Sequence, residues 1–121
     1  MPAALAHYVD PPEHAPRYER TIRAAAAVFI AAGGDPNFGA RLVRMLTDAG
    51  LVNIAAETHA PLVAGGTENW IPGTVEHLAE PMVRTGLVTA SDIESVLAMT
   101  ADPSCHYAPS PMVTAWGQRP A

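Results

Sequence analysis

Histidine and cysteine are the side chains best suited to holding a metal or attacking a substrate, and this sequence has five histidines and one cysteine. The histidines are His7, His14, His59, His77 and His106. The closest two are seven positions apart, and no His-x-x-x-His pair or Cys/His cluster occurs. Zinc sites are built from ligands at short, recurring spacings. The sequence therefore predicts no metal-binding residue.

The tripeptide Cys105-His106-Tyr107 places a nucleophilic side chain beside a basic one. A catalytic pair needs the imidazole within hydrogen-bonding distance of the thiol and a third group that orients it. Adjacent loop residues rarely reach that geometry, and no orienting carboxylate can be identified from the sequence. The pattern favours an incidental cysteine, and no catalytic residue is predicted.

Three further side chains are candidates for lining a substrate pocket. They are Trp70, Met82 and Tyr107, since aromatic and methionine side chains often line such pockets. The alternative is that they belong to the hydrophobic core, which helical spacing favours. Both interpretations stay open at the level of sequence. Trp116 is expected in the core of the last strand.

Composition limits the class of protein. At 121 residues the chain is long enough for one domain with a modest core and too short for two. Apolar residues make up 49% and charged residues 16%, an apolar balance for a small monomer. The formal charge is −5, with seven arginines and no lysine, which argues against nucleic-acid binding.

The cysteine count and the apolar stretches exclude further classes. A single cysteine, Cys105, rules out an intrachain disulfide. The longest apolar stretch, residues 24–32, is about half of what a membrane span requires. The first residues lack the basic and apolar regions of a signal peptide. We therefore expect a cytoplasmic protein with no membrane partner.

The first half of the chain predicts a helix–helix–strand unit after an extended lead-in at residues 1–15. The first helix ends at Gly33-Gly34, and its apolar face is expected to consist of Tyr18, Ile22, Ala25 and Phe29. The second helix is predicted over residues 36–49, with Asp35 as its cap and Gly50 at its end. Its buried stripe is expected to consist of Phe38, Leu42, Met45 and Ala49. A strand over residues 52–63 follows.

Residues 67–109 predict a helical segment. Pro72-Gly73 and Pro81 interrupt its helical spacing and predict breaks or kinks. The run Thr89-Ala90-Ser91-Asp92 resembles a capping box that opens another helix. A loop carrying the Cys105 tripeptide comes next, and a final strand is predicted over residues 112–118.

Three segments carry a resemblance to a known family. They are Ala-Gly-Gly-Asp-Pro-Asn-Phe-Gly-Ala-Arg-Leu at 32–42, Leu-Thr-Asp-Ala-Gly-Leu at 46–51, and 110–119 with Thr-Ala-Trp-Gly at 114–117. Together they resemble the C-terminal part of class I S-adenosylmethionine-dependent methyltransferases. The resemblance implies the C-terminal half of a Rossmann-like α/β fold, α+β as an isolated chain. It implies about four helices and two antiparallel strands.

The resemblance also divides the single domain, residues 1–121, into parts. Residues 16–66 would be a helix–helix–strand unit, in which the helix over residues 36–49 and the strand after it resemble the family's last helix and sixth strand. Residues 110–121 would be the final strand, in which residues 110–119 resemble the seventh strand. Residues 67–109 would be the helical insertion that covers the substrate in many small-molecule methyltransferases.

The sequence departs from the family where the cofactor should bind. No strand is followed by a G-x-G-x-x-G-like turn with an acidic residue about twenty positions later. Gly33-Gly34 ends a helix and Gly65-Gly66 ends a strand, so no cofactor-binding residue of the family can be carried over. S-adenosylmethionine is implied by the resemblance alone.

Two functions follow as expectations. The first is a truncated or partial methyltransferase that contributes the substrate-side half, takes a small-molecule substrate and is inactive alone. The second is a small apolar-ligand binding or protein-interaction module derived from that fold. A two-stranded sheet is marginal alone and its edge tends to pair with another chain. We therefore expect a homo-oligomer joined through an exposed strand edge, with Ala3–Val9 lending an extra strand, or a separate N-terminal methyltransferase half.

Overall fold

The computed structural model describes residues 8–121, a mixed α and β arrangement with five α-helices and two small antiparallel sheets. The helices are α1 (Ala15–Ala31), α2 (Leu42–Asp48), α3 (Trp70–His77), α4 (Ala79–Arg84) and α5 (Ala90–Ala101). The strands are β1 (Val9–Asp10), β2 (Val52–His59), β3 (Val63–Ala64), β4 (His106–Tyr107) and β5 (Met112–Gln118). Short 3₁₀ turns at Pro12–His14 and Phe38–Arg41 precede α1 and α2.

The two sheets pair distant parts of the chain. One has the order β1-β4-β3, and the other consists of β2 and β5. The antiparallel pairing of β2 with the final strand, and the bounds of that strand, confirm the sequence prediction. The expected extra strand at Ala3–Val9 falls mostly on residues 3–7, which lie outside the described part of the chain.

The core lies between α1, α3, α4, α5 and the three-stranded sheet. Its wholly buried side chains include Tyr18, Ile71, Val75, Met82, Val96 and Tyr107. The rings of Tyr18 and Tyr107 meet edge to face, with centroids 5.7 Å apart at 61°. This geometry is the one that aromatic pairs prefer.

The third predicted helical stretch is divided into α3 and α4 at Leu78, which accounts for five helices instead of four. Pro81 has no N–H, and its ring would clash with the carbonyl four residues back, that of His77, where α3 ends. The predicted break near Pro81 is thus confirmed. Pro72 lies in the first turn of α3, where a missing N–H is tolerated.

Two predicted buried faces are wrong in part. On α1, Tyr18, Thr21 and Ala24 are buried while Phe29 is half exposed. The second helix begins at Leu42, not Pro36, because the Asp35 carboxylate accepts from the Asn37 backbone N–H and the Arg41 side chain and holds a turn there. Phe38 and Met45, which the sequence predicts in the buried stripe of this helix, are exposed.

Trp116 is not a core residue, contrary to expectation. It is 48% exposed, and β5 alternates exposed with half-buried positions along its length. α2 packs on one face of the β2–β5 sheet, and Trp116 lies on the opposite face, which no element within residues 8–121 covers.

None of the helices within residues 8–121 combines the length and apolar content needed to cross a membrane.

Candidate functional site

The three pocket candidates do not form one pocket. Met82 and Tyr107 are wholly buried in the core, whereas Trp70, the first residue of α3, is 48% exposed. None of the three lines the groove between α4 and α5 or the small cavity between α1 and α5. Their placement matches the core interpretation for Met82 and Tyr107 and a surface position for Trp70.

Tyr18 and Tyr107, whose rings are in contact, each use the hydroxyl in a hydrogen bond. The Tyr18 hydroxyl donates to the Ala108 carbonyl at 2.7 Å, and the Asn69 side-chain amide donates to the Tyr107 hydroxyl at 2.6 Å. The Asn69 side-chain oxygen also accepts from the Ile71 N–H and so caps α3. Burial, followed by the neighbouring Tyr107, raises the pKa of Tyr18 well above its ordinary value. The Tyr18 hydroxyl therefore stays neutral and acts as a hydrogen-bond donor in the core.

Cys105 has the surroundings of an unreactive thiol. It is 3% exposed, and burial, with the charge of Asp102 as a second cause, raises its pKa. A nucleophilic cysteine needs the opposite shift, because the thiolate is the reactive form. His106 is exposed on β4, where successive side chains point to opposite faces. The structure thus supports the incidental interpretation of this cysteine.

Three carboxylates have lowered pKa values, each chiefly because a backbone N–H donates to the ionised form. The donors are Asn37 for Asp35, Thr89 for Asp92 and Ser104 for Asp102. The Thr89–Asp92 pair forms the predicted capping box of α5, which is confirmed. Among residues 8–121 no group of three or more His, Cys, Asp or Glu side chains could hold a metal ion.

The glycine turns do not fit a nucleotide cofactor. Gly33, at φ +90°, closes α1, as the sequence predicts. A Cβ on Gly65 would overlap the backbone carbonyl of Asp102, so this glycine is needed for packing against the end of α5. Gly50 and Gly86, at φ +89° and φ +79°, follow helices α2 and α4, whereas the family's cofactor turn leads from a strand into a helix.

A shallow groove lies between α4 and α5. Its volume is about 650 Å³, which is in the range of small-molecule sites. Apolar side chains of Val83, Ile93 and Leu97 line it together with the charged residues Glu80, Arg84 and Glu94. The spacing of Ile93 and Leu97 predicts one helix face, but sequence alone does not show that α4 leaves this face partly open.

The other candidate surface is the face of the β2–β5 sheet opposite α2, here called the open face. Its exposed apolar residues are Val52, Met112 and Trp116. Thr114 pairs with Glu57 and Trp116 with Ala55 across it. No residue of α2, β2 or β5 is fully buried. The face therefore mixes exposed apolar side chains with the polar pair Glu57 and Thr114, as the surfaces of weak or transient interfaces do.

The chain matches no protein-family model, no curated protein and no solved structure.

Proposed function

We propose that the chain is the substrate-side half of a methyltransferase-like enzyme. It would cover and orient a small-molecule substrate, while a second polypeptide supplies the S-adenosylmethionine site. The observation that supports the proposal is the β2–β5 sheet, in which a helix, a strand and a distant antiparallel final strand leave one face open. A sheet of two strands needs further strands or a covering layer for stability.

The residues of this chain would position the substrate and would not transfer protons. Methyl transfer between bound groups depends on holding donor and acceptor in line. The start of α3 is joined to β4 by the Asn69–Tyr107 hydrogen bond, and Tyr107 packs on Tyr18 of α1, so the helical segment would form a wall over an acceptor. The open face would pack on the other half. A homo-oligomer joined through this sheet is the other way to complete it.

The test is a calorimetric titration with S-adenosylhomocysteine, the product of methyl donation. The chain alone is compared with the chain co-expressed with the polypeptide of the adjacent reading frame. We expect heat of binding only from the co-expressed sample. Binding by the chain alone would contradict the need for a second polypeptide, and binding by neither sample would contradict the methyltransferase function.

Trp116→Lys is the variant that tests whether the partner binds at the open face. Because Trp116 is 48% exposed, the substitution should leave the isolated chain folded, as judged by circular dichroism. A lysine in the centre of the face should prevent an apolar partner from covering it. We expect this variant to lose the partner and the binding heat together.

The α4–α5 groove favours a second candidate function, an apolar-ligand module. Its size and its apolar lining suit a small hydrophobic molecule. The probe is 1-anilinonaphthalene-8-sulfonate, whose fluorescence rises on apolar surfaces. Val83→Asp, within the groove, should lower the signal, whereas Val43→Asp, at an exposed valine on α2, should not. Equal signals from both variants would argue against the groove as a binding site.

A further inference from the structure

The described part of the chain divides into two bodies by packing. α2, β2 and β5 pack chiefly on one another, and with the 3₁₀ turn before α2 they form the sheet unit, residues 35–59 and 112–118. The helical body consists of α1, α3, α4, α5 and the three-stranded sheet. All members of the buried apolar core belong to the helical body or to its loops, and none belongs to the sheet unit. The sheet unit is therefore not anchored in that core.

Polar interactions of the sheet unit likewise stay inside it. Within residues 8–121, each of its hydrogen bonds and its ion pair has both partners in the unit. The Asn53 side-chain amide donates to the Gln118 side-chain oxygen at 2.9 Å, and Arg41 donates to Asp35 at 2.9 Å. Separating the unit from the helical body would break none of these bonds.

Three short connections join the sheet unit to the helical body. Residues 32–34 contain the glycine pair that ends α1, residues 60–62 contain a proline, and residues 109–111 read Pro-Ser-Pro. Proline has no N–H and cannot donate to a strand ladder. The prolines thus account for the separation of the β2–β5 pair from the three-stranded sheet.

We propose that the sheet unit opens on these three connections and unfolds while the helical body stays folded. A segment with little buried apolar surface and few bonds to its surroundings opens at a low cost in free energy. The opening is a conformational switch, because a partner that binds the open face stabilises the unit only in its folded state. The inference goes beyond the proposed function and does not depend on it.

The two tryptophans of the chain report on the two bodies separately. Trp116 lies on β5 and Trp70 is the first residue of α3, and each is 48% exposed. Trp70→Phe and Trp116→Phe each leave one fluorophore. We expect the emission of Trp116 to change at a lower urea concentration than the emission of Trp70 and the helical circular dichroism. Coincident midpoints would overturn the proposal, because they are the mark of a single cooperative transition.

Amide hydrogen exchange on the unmodified chain is the second measurement. We expect the N–H groups bonded between β2 and β5 to be protected at least about tenfold less than those in the middle of α1 and α5. Equal protection in the two bodies would overturn the proposal. Neither measurement involves S-adenosylhomocysteine, so failure here is distinguishable from failure of the proposed function.

A matched pair of substitutions shows on which body each N–H depends. Ile71→Val trims a buried side chain of α3 and should raise exchange in α1 and α5 by about two- to tenfold. It should leave β2 and β5 unchanged, because their N–H groups exchange through opening of the sheet unit alone. Ile54→Val, at a half-buried position of β2, is the counterpart and should raise exchange in β2 and β5. An equal rise in both bodies after Ile71→Val would overturn the proposal.

Discussion

At the scale of single residues, Tyr18 connects the two halves of the core. Its ring packs against Tyr107, and its hydroxyl reaches across 90 positions of sequence to the Ala108 carbonyl. Ala108 in turn donates its N–H to Tyr8. One side chain of α1 thus holds the point at which β4 leads towards β5.

Tyr18→Phe tests this role. The ring is kept, but the buried Ala108 carbonyl loses its donor, and an unsatisfied buried polar group costs about 1–3 kcal/mol. We expect the free energy of unfolding, measured by urea titration, to fall by that amount. Tyr8→Phe is the control, since Tyr8 is 47% exposed and the substitution should change stability by less than about 0.5 kcal/mol. Equal losses in the two variants would contradict the assignment.

At the scale of elements, the turn after β3 fastens the small sheet to the end of α5. The Gly65 N–H donates to the Cys105 carbonyl at 2.9 Å, and the Gly66 N–H donates to the Thr100 carbonyl at 2.8 Å. The Thr89–Asp92 capping box holds the other end of α5. The helix is therefore fixed at both ends, although its neighbour α4 leaves one face partly open.

Two glycine-to-alanine substitutions separate close packing from helix propensity. Gly65→Ala places a methyl group against the Asp102 backbone and should lower the free energy of unfolding by about 1–3 kcal/mol. Gly73→Ala, inside α3 where a Cβ meets nothing within 4 Å, should raise it by about 0.5–1 kcal/mol. Thermal unfolding of both variants gives the comparison. A neutral Gly65→Ala would mean that the turn can move away from α5.

At the scale of the whole molecule, the helices and the β2–β5 sheet differ in how well they are covered. An ion pair joins two of the helices, whereas one face of the sheet is exposed. Arg20 on α1 donates to Asp92 on α5 at 3.0 Å, across 72 positions of sequence. The helical core is thus connected by both packing and charge. The β2–β5 sheet has neither a buried residue nor a second covering layer within the described part of the chain.

Acid should destabilise the protein through its three hydrogen-bonded carboxylates. Asp35, Asp92 and Asp102 have lowered pKa values in the folded state. Their stabilisation is therefore complete above the ordinary aspartate pKa of about 3.9 and is lost as pH falls through the lower folded values. The midpoint of urea unfolding, measured from neutral pH to about pH 2, should decrease as the pH falls below about 3.9.

Asp92→Asn provides the comparison for the acid titration. The amide oxygen can still accept from the Thr89 N–H, but the side chain no longer titrates. The variant should lose less stability than the parent chain on acidification. An identical loss would assign the acid effect to other carboxylates.

Local chemistry was sufficient to predict several features from sequence. The end of α1 at Gly33, the capping box at Thr89 and Asp92, the break near Pro81 and the bounds of β5 depend on residues within one or two turns of each other. The methyltransferase resemblance remains a prediction.

Only the tertiary structure decided which apolar residues are covered. Trp116, Met45 and Phe38 have the periodicity of buried residues, yet they are exposed, while Met82 and Tyr107 are enclosed. The sequence determines that a strand or helix has an apolar face, because periodicity is local. Whether that face is buried depends on a second element from elsewhere in the chain or from another chain, and periodicity contains no information about that partner.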